Sequence, residues 1–182
     1  MSVLKSDSSM PWSPAHLLAQ GETAIWWARP APEHYAFHKT WGLALVGSVC
    51  AVLAGLAFAS TLKQGFRWEA VPGLGFAGGF LVVGALGPAW AIRRYFGEAK
   101  TITYLMTDRR AIIDKPPAII SMLWSAVTFV ELDIVSDRHG NVLFYEYEVD
   151  GEGGPARVRD GFIGITNADA VAREMRRLQA AA

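Results

Sequence analysis

The sequence predicts an α+β membrane protein: a two-helix transmembrane hairpin inserted in an antiparallel β structure that ends in a C-terminal helix. Three observations predict it. Residues 41–62 and 71–92 form two apolar runs without a formal charge. Segments between residues 101 and 165 are β-rich, several alternating apolar with polar residues, and are separated by turn clusters. After residue 166 the apolar spacing changes from the period of a strand to that of a helix.

The runs carry most of the argument. Each is 22 residues long, which as a helix spans about 33 Å, enough for a hydrocarbon core of about 30 Å. Buried helices of soluble proteins seldom stay uncharged on every face for so long. The link, residues 63–70, is short enough to force an antiparallel hairpin with both chain ends on one side. That link holds Lys63 and Arg67, whereas the outer flanks hold Arg29, Lys39, Arg93, Arg94, Lys100, Arg109 and Arg110. The bias predicts that both termini are cytoplasmic. Trp41, Trp68 and Trp90 stand near the run ends, where indoles suit the headgroup boundary.

Small residues predict how the hairpin closes. Gly47, Ala51, Gly55 and Ala59 recur every fourth position, and Gly75 and Gly79 repeat the spacing in the second run. In lipid, helices associate through close backbone approach at such positions. Gly75 and Gly79 are therefore expected to meet the first helix or a second protomer. Pro88 is expected to kink its helix.

The remaining elements follow in order. Residues 1–20 read as a loose polar tail. Residues 21–40 supply a first strand, GETAIWWARP, and a juxtamembrane segment. Adjacent Trp26 and Trp27 must point to opposite faces of that strand, one of them into the core. Residues 95–182 hold the other strands: 101–107 and 110–114 as a hairpin, then 118–124, 127–135, 141–149 and 156–165. Val130, Leu132 and Ile134 share one face, as do Leu143, Tyr145, Tyr147 and Val149. Thr166 or Asn167 caps a final helix over 168–179, with Asp169 at its positive end and Val171, Met175 and Leu178 as its apolar stripe. The hairpin then falls between the first and second strands.

Composition excludes several functions. Formal net charge is zero, which argues against a nucleic-acid binder. The single cysteine, Cys50, forms neither an internal disulfide nor a zinc site. Gly73, Gly75 and Gly78 spell a dinucleotide fingerprint, with Glu98 at the expected distance. Yet no strand precedes it, and Glu98 would fall across the bilayer from the glycines. Glu33, His34 and His38 suggest a metal pair on a helix, but lack a third ligand. No hydrolase elbow or P-loop occurs. Glu131, Asp133, Glu146 and Glu148 read as outward strand residues, and His139 as a solvated turn residue. No cofactor, metal or small-molecule substrate is expected.

GETAIWWARP, the two-span hairpin, YLMTDRRAII and GFIGITNADAVAREMRRL together resemble a bacterial PH-like (pleckstrin-homology-like) membrane protein. The middle segment matches the family pattern at Tyr104, Thr107, Arg110, Ala111, Ile112 and Ile113. The resemblance covers roughly residues 20–180. It implies two packed antiparallel sheets in a partly open barrel, plugged by a C-terminal helix. It implies no catalytic residue. The expected function is a non-enzymatic membrane protein whose cytoplasmic domain assembles with other membrane proteins or copies of itself. The alternative is a module responding to anionic lipid through Arg93, Arg94, Arg109 and Arg110. For Asp108, Arg109 and Arg110 a structural role in a turn is the favoured reading. A small membrane enzyme is the weakest reading, since neither run holds an Asp, Glu, Lys, Arg or His.

Overall fold

The structure, a computed structural model, describes residues 14–63, 71–151 and 154–182. The start of the expected tail, the link 64–70 and the centre of the 150–155 turn lie outside them. The protein is α+β, with two antiparallel sheets and two apolar helices. It divides into two units: residues 1–35 with 97–182, and residues 36–96.

The first unit holds the sheets. Strands β1 (Ala24–Ala28), β2 (Thr103–Thr107), β3 (Arg110–Lys115) and β4 (Ala118–Leu123) form one sheet in that order. Strands β5 (Glu131–Ile134), β6 (His139–Gly151) and β7 (Gly154–Thr166) form the other. No pairing joins the sheets among the described residues, so the expected barrel is not closed. Trp26, Tyr104, Met106, Ile113, Val142, Phe144 and Phe162 are buried. Phe162 brings these rings together, with centroids 5.5 Å from Trp26, 5.0 Å from Tyr104 and 4.9 Å from Phe144. Trp27 takes the opposite face of β1 and packs beside Leu17, Leu105 and Ile112. Leu17 comes from a short 3-10 turn, Pro14–Leu17. Residues 14–20, expected within a loose tail, are therefore pinned to the four-stranded sheet.

Two strands differ from expectation for identifiable reasons. Strand β5 covers only 131–134 of the expected 127–135. The carbonyls of Val127 and Val130 instead accept hydrogen bonds from Gln179 (2.7 Å) and Arg176 (3.0 Å) of the final helix. Ile134, expected to face inward, is 67% exposed. In β6 the register shifts between Leu143 and Tyr145. This bulge inserts a residue and reverses the alternation. Val142 is buried before it, Phe144 within it and Tyr145 after it, while Leu143 is only half-buried. Gly161 makes the bulge possible: a Cβ there would lie 2.1 Å from the Val142 carbonyl oxygen.

Helix α3 (Ala168–Ala181) buries Ala168, Val171, Ala172, Met175 and Leu178. Asn167 occupies its N-cap in the left-handed conformation, without a side-chain cap bond. Its carbonyl accepts from the backbone N–H of Ala170 and Val171, and Asp169 pairs with Arg173 at 2.8 Å.

The second unit is built from two apolar helices, α1 (Pro32–Lys63) and α2 (Val71–Ala99). Both run beyond the uncharged runs. Pro32 suits a first helical position because its missing N–H has no intrahelical partner there. Hydroxyls inside α1 are satisfied locally: Thr40, Ser48 and Thr61 donate to the carbonyls of Ala36, Ala44 and Ala57.

Candidate functional site

Three places in the molecule concentrate chemistry or unusual exposure. The first is the helix pair. Among the buried and half-buried positions, 44, 47, 51, 54, 58 and 61 in α1 and 77, 81, 84, 88 and 91 in α2 form one series, with 50, 55, 74, 78 and 87 half-buried beside it. Alternating steps of three and four mark a seam packed like a left-handed coiled coil. At its centre Gly47 faces Gly84. A Cβ on Gly47 would lie 2.8 Å from Pro88 Cγ and 2.9 Å from the Gly84 carbonyl oxygen. A Cβ on Gly84 would lie 2.9 Å from the Gly47 carbonyl oxygen and 3.3 Å from Ala51 Cβ. Pro88 has no N–H for the Gly84 carbonyl, so that oxygen is the one exposed to this close approach.

The every-fourth pattern therefore describes the contact only in part. A strict step of four rotates about 40° per repeat around the helix. Gly47 and Ala51 lie in the seam and Gly55 is at its edge, where a Cβ would lie 3.8 Å from Leu81 Cδ2, but Ala59 is exposed. Of the two contacts expected for Gly75 and Gly79, the first helix or a second protomer, the one with the first helix is not made. Each glycine is two residues from a seam position, about 200° around α2, and no atom lies within 4 Å of a Cβ built there. They line an outward groove with Phe76, Phe80 and Val83. Large apolar side chains cover the remaining helix surface: Leu53 is 62% exposed, Val83 71% and Trp90 65%. Both helices are long and apolar enough to cross a membrane.

The second place is the turn between β2 and β3. Glu22, which no sequence pattern singles out, has a fully buried side chain. Arg110 donates to both its oxygens at 2.8 Å, and Thr107 donates to Oε1 at 2.7 Å. The Ala19 N–H donates to Oε2 at 2.7 Å. Arg110 also donates to the Leu17 carbonyl and to Ser121. Arg109 donates to the Gly21 carbonyl, and Asp108 accepts from the Thr23 N–H. The Arg110 guanidinium holds the Glu22 carboxyl far below the usual range, at about 2, against a smaller opposing effect of burial. Arg109 and Arg110 thus bind residues 17–23 to the sheet. Arg93 and Arg94 are exposed on α2, and the Arg94 guanidinium lies 5.6 Å from the Trp90 ring centroid.

The third place is a cleft of about 290 Å³ in the first unit. Register builds it. Tyr104, Ile113 and Ile120 are directly opposed across β2, β3 and β4, so their side chains share one face. Across from them Tyr145 opposes Asp160 on β6 and β7. The bulge directs Tyr145 to this side, and Asp160 Oδ1 accepts from the Gly161 N–H at 2.9 Å. Tyr35, in the first turn of α1, donates to Glu98 Oε1 at 2.8 Å, and Lys115 Nζ lies 2.6 Å from the same oxygen. Gly164 seats this helix start on β7. Its φ is +66°, its carbonyl accepts from the Ala31 N–H at 2.8 Å, and a Cβ there would lie 3.2 Å from His34 Cβ. Burial pushes the Tyr104 and Tyr145 hydroxyls up, and the negative charge of Asp160 adds to both.

The histidines are arranged differently from the sequence pattern. His34 packs against His139 with the rings tilted at 32° and centroids 4.3 Å apart, so His139 is not a freely solvated turn residue. Burial, then the neighbouring His34, lowers the His139 pKa. No group of three metal-ligating side chains occurs among the described residues. Compared with family models, curated proteins and solved structures, the chain gives no match.

Proposed function

We propose that this is a non-enzymatic integral membrane protein of a bacterial cytoplasmic membrane. Helices α1 and α2 cross the bilayer, both termini stay cytoplasmic, and the β unit is a PH-like module for assembly with other membrane proteins or with itself. One observation carries the membrane reading: small residues line the seam of the helix pair, while large apolar side chains point outward along both helices. In water that surface would strongly favour aggregation. In lipid it is ordinary, because packing of small residues holds the helices together there. The PH-like reading is supported by four- and three-stranded antiparallel sheets followed by a helix that packs on β5 and β6. The fold by itself specifies no activity.

Alkaline carbonate extraction of cell membranes tests the reading, with the protein expected in the pellet. Release into the supernatant overturns it. Protease added to intact spheroplasts is expected to leave α3 uncleaved; its removal from outside reverses the orientation. A second reading, response to anionic lipid, is favoured by the exposed pair Arg93 and Arg94. Replacing both with Gln is then expected to abolish any difference in behaviour between anionic and zwitterionic nanodiscs.

A further inference from the structure

The cleft in the β unit is assigned no role by membrane anchoring or assembly. Its lining is mainly apolar, yet tyrosines come to it from three separate elements: Tyr35 from α1, Tyr104 from β2, and Tyr145 and Tyr147 from β6. One carboxylate, Asp160, and one ammonium, Lys115, line it, and Glu98 stands behind Tyr35 and Lys115. Lys115 and Glu98 approach to 2.6 Å, so their charges largely cancel at the rim. Asp160 then sets the sign of the field. It lines the cleft directly, opposite Tyr145 in the pairing of β6 with β7. Aromatic faces carry negative electrostatic potential and attract cations within about 6 Å.

From this juxtaposition we propose that the cleft binds a small quaternary ammonium cation of the trimethylammonium class. Such a cation carries charge without N–H groups that demand hydrogen-bond partners. Its methyl groups suit an apolar lining, whereas a primary ammonium would leave donors unpaired there. A volume of about 290 Å³ lies at the small end of ligand pockets, which start near roughly 300 Å³. It suits a choline-sized group better than a drug-sized molecule. Asp160 supplies the counter-charge, and Tyr147, 41% exposed, offers a ring at the mouth. The inference stands independently of membrane insertion.

The test is calorimetric titration of the full chain, in a maltoside detergent without choline groups, with tetramethylammonium and choline as probes. The control is 3,3-dimethylbutan-1-ol, which replaces the choline nitrogen by carbon and removes the charge. Saturable binding of both cations, about tenfold or more tighter than the neutral alcohol, is expected. Asp160→Asn keeps an acceptor for the Gly161 N–H and is expected to weaken choline by about tenfold. Tyr147→Leu is expected to weaken it several-fold, while Tyr147→Phe retains it, a difference that a purely structural role at an exposed position would not produce. The site is overturned if neither cation saturates at roughly 10 mM, if the neutral alcohol binds equally well, or if Asp160→Asn and Tyr147→Leu both bind choline like the parent protein. Phosphatidylcholine and phosphatidylglycerol nanodiscs then identify the source. Weaker apparent choline binding in the former points to a lipid headgroup, and equal binding to a free solute.

Discussion

Adding one methyl group at Gly47 should oppose helix pairing, whereas the same change at Gly79 should not. The Gly47 Cβ would lie 2.8 Å from Pro88 Cγ and 2.9 Å from the Gly84 carbonyl oxygen. Ordinary carbon contacts are about 3.5–4.0 Å, so the seam must open locally by roughly 1 Å. Overpacking of this kind costs about 1–3 kcal/mol. Alanine also recovers up to about 1 kcal/mol through helix propensity. The expected net effect of Gly47→Ala is a loss of up to about 2 kcal/mol. Gly79 meets no atom within 4 Å, so Gly79→Ala retains only the propensity gain and should be neutral or stabilising by up to about 1 kcal/mol. Equilibrium unfolding by sodium dodecyl sulfate from mild-detergent micelles, followed by circular dichroism, reads both variants on one scale. Equal stabilisation by the two substitutions would refute the seam. If only Gly79→Ala were destabilising, the contact would lie on the other face of α2.

Glu22→Gln should weaken the attachment of residues 17–23. The carboxyl is lowered from 4.5 to about 2, equivalent to about 3 kcal/mol before screening at the partly exposed arginine, and about 2 kcal/mol after it. Because the folded value is depressed, this contribution is complete above pH 4.5 and lost as pH falls towards 2. Thermal melts of parent and variant should therefore converge across that window, and a constant gap down to pH 2 would exclude the ion pair as the cause. Gly161→Ala places a methyl group 2.1 Å from the Val142 carbonyl oxygen. It should cost at least about 3 kcal/mol, read as lost thermal stability of the β unit, whereas Gly154→Ala, with no atom within 4 Å, should cost less despite its positive φ.

The sequence reveals elements better than it reveals their phase. Seven strands are placed in order by β-rich runs between turn clusters, and alternation adds which neighbouring residues share a face. It misassigns β6 because a single inserted residue at the bulge reverses inward and outward. Gly161, the residue permitting that bulge, sits on another strand. The uncharged runs locate both helices, but not the start at Pro32 or the end at Ala99. The small-residue repeat finds Gly47 and Ala51 and then drifts off the contact, since helices pack along alternating steps of three and four. Arg110 stands out as one of three adjacent charges, but nothing near Glu22 indicates that it would be buried with that arginine. The cleft is least legible, because its side chains come from α1, β2, β3, β4, β6 and β7.

The placement of the helix pair has a consequence for folding. Strands β1 and β2 are neighbours, with Ala28 opposite Tyr104, yet residues 29–102 separate them. Closing a disordered loop of that length costs about 4 kcal/mol in chain entropy. An antiparallel helix hairpin greatly reduces the cost, because it returns the chain close to its starting point before the strands meet. The return is fastened within the β unit itself: Tyr35, where the chain leaves, donates to Glu98, where it comes back, and Lys115 of β3 pairs with the same carboxylate. Seam formation at Gly47 and Gly84 should therefore precede stable pairing of β1 with β2. A destabilising change in the seam should slow assembly of the β unit, although it touches none of its residues. Refolding into nanodiscs provides the measurement. Gly47→Leu is expected to delay the slow near-ultraviolet signal of the buried tryptophans, Trp26 and Trp124. An unchanged rate beside a weakened seam would show that the sheet closes without help from the hairpin.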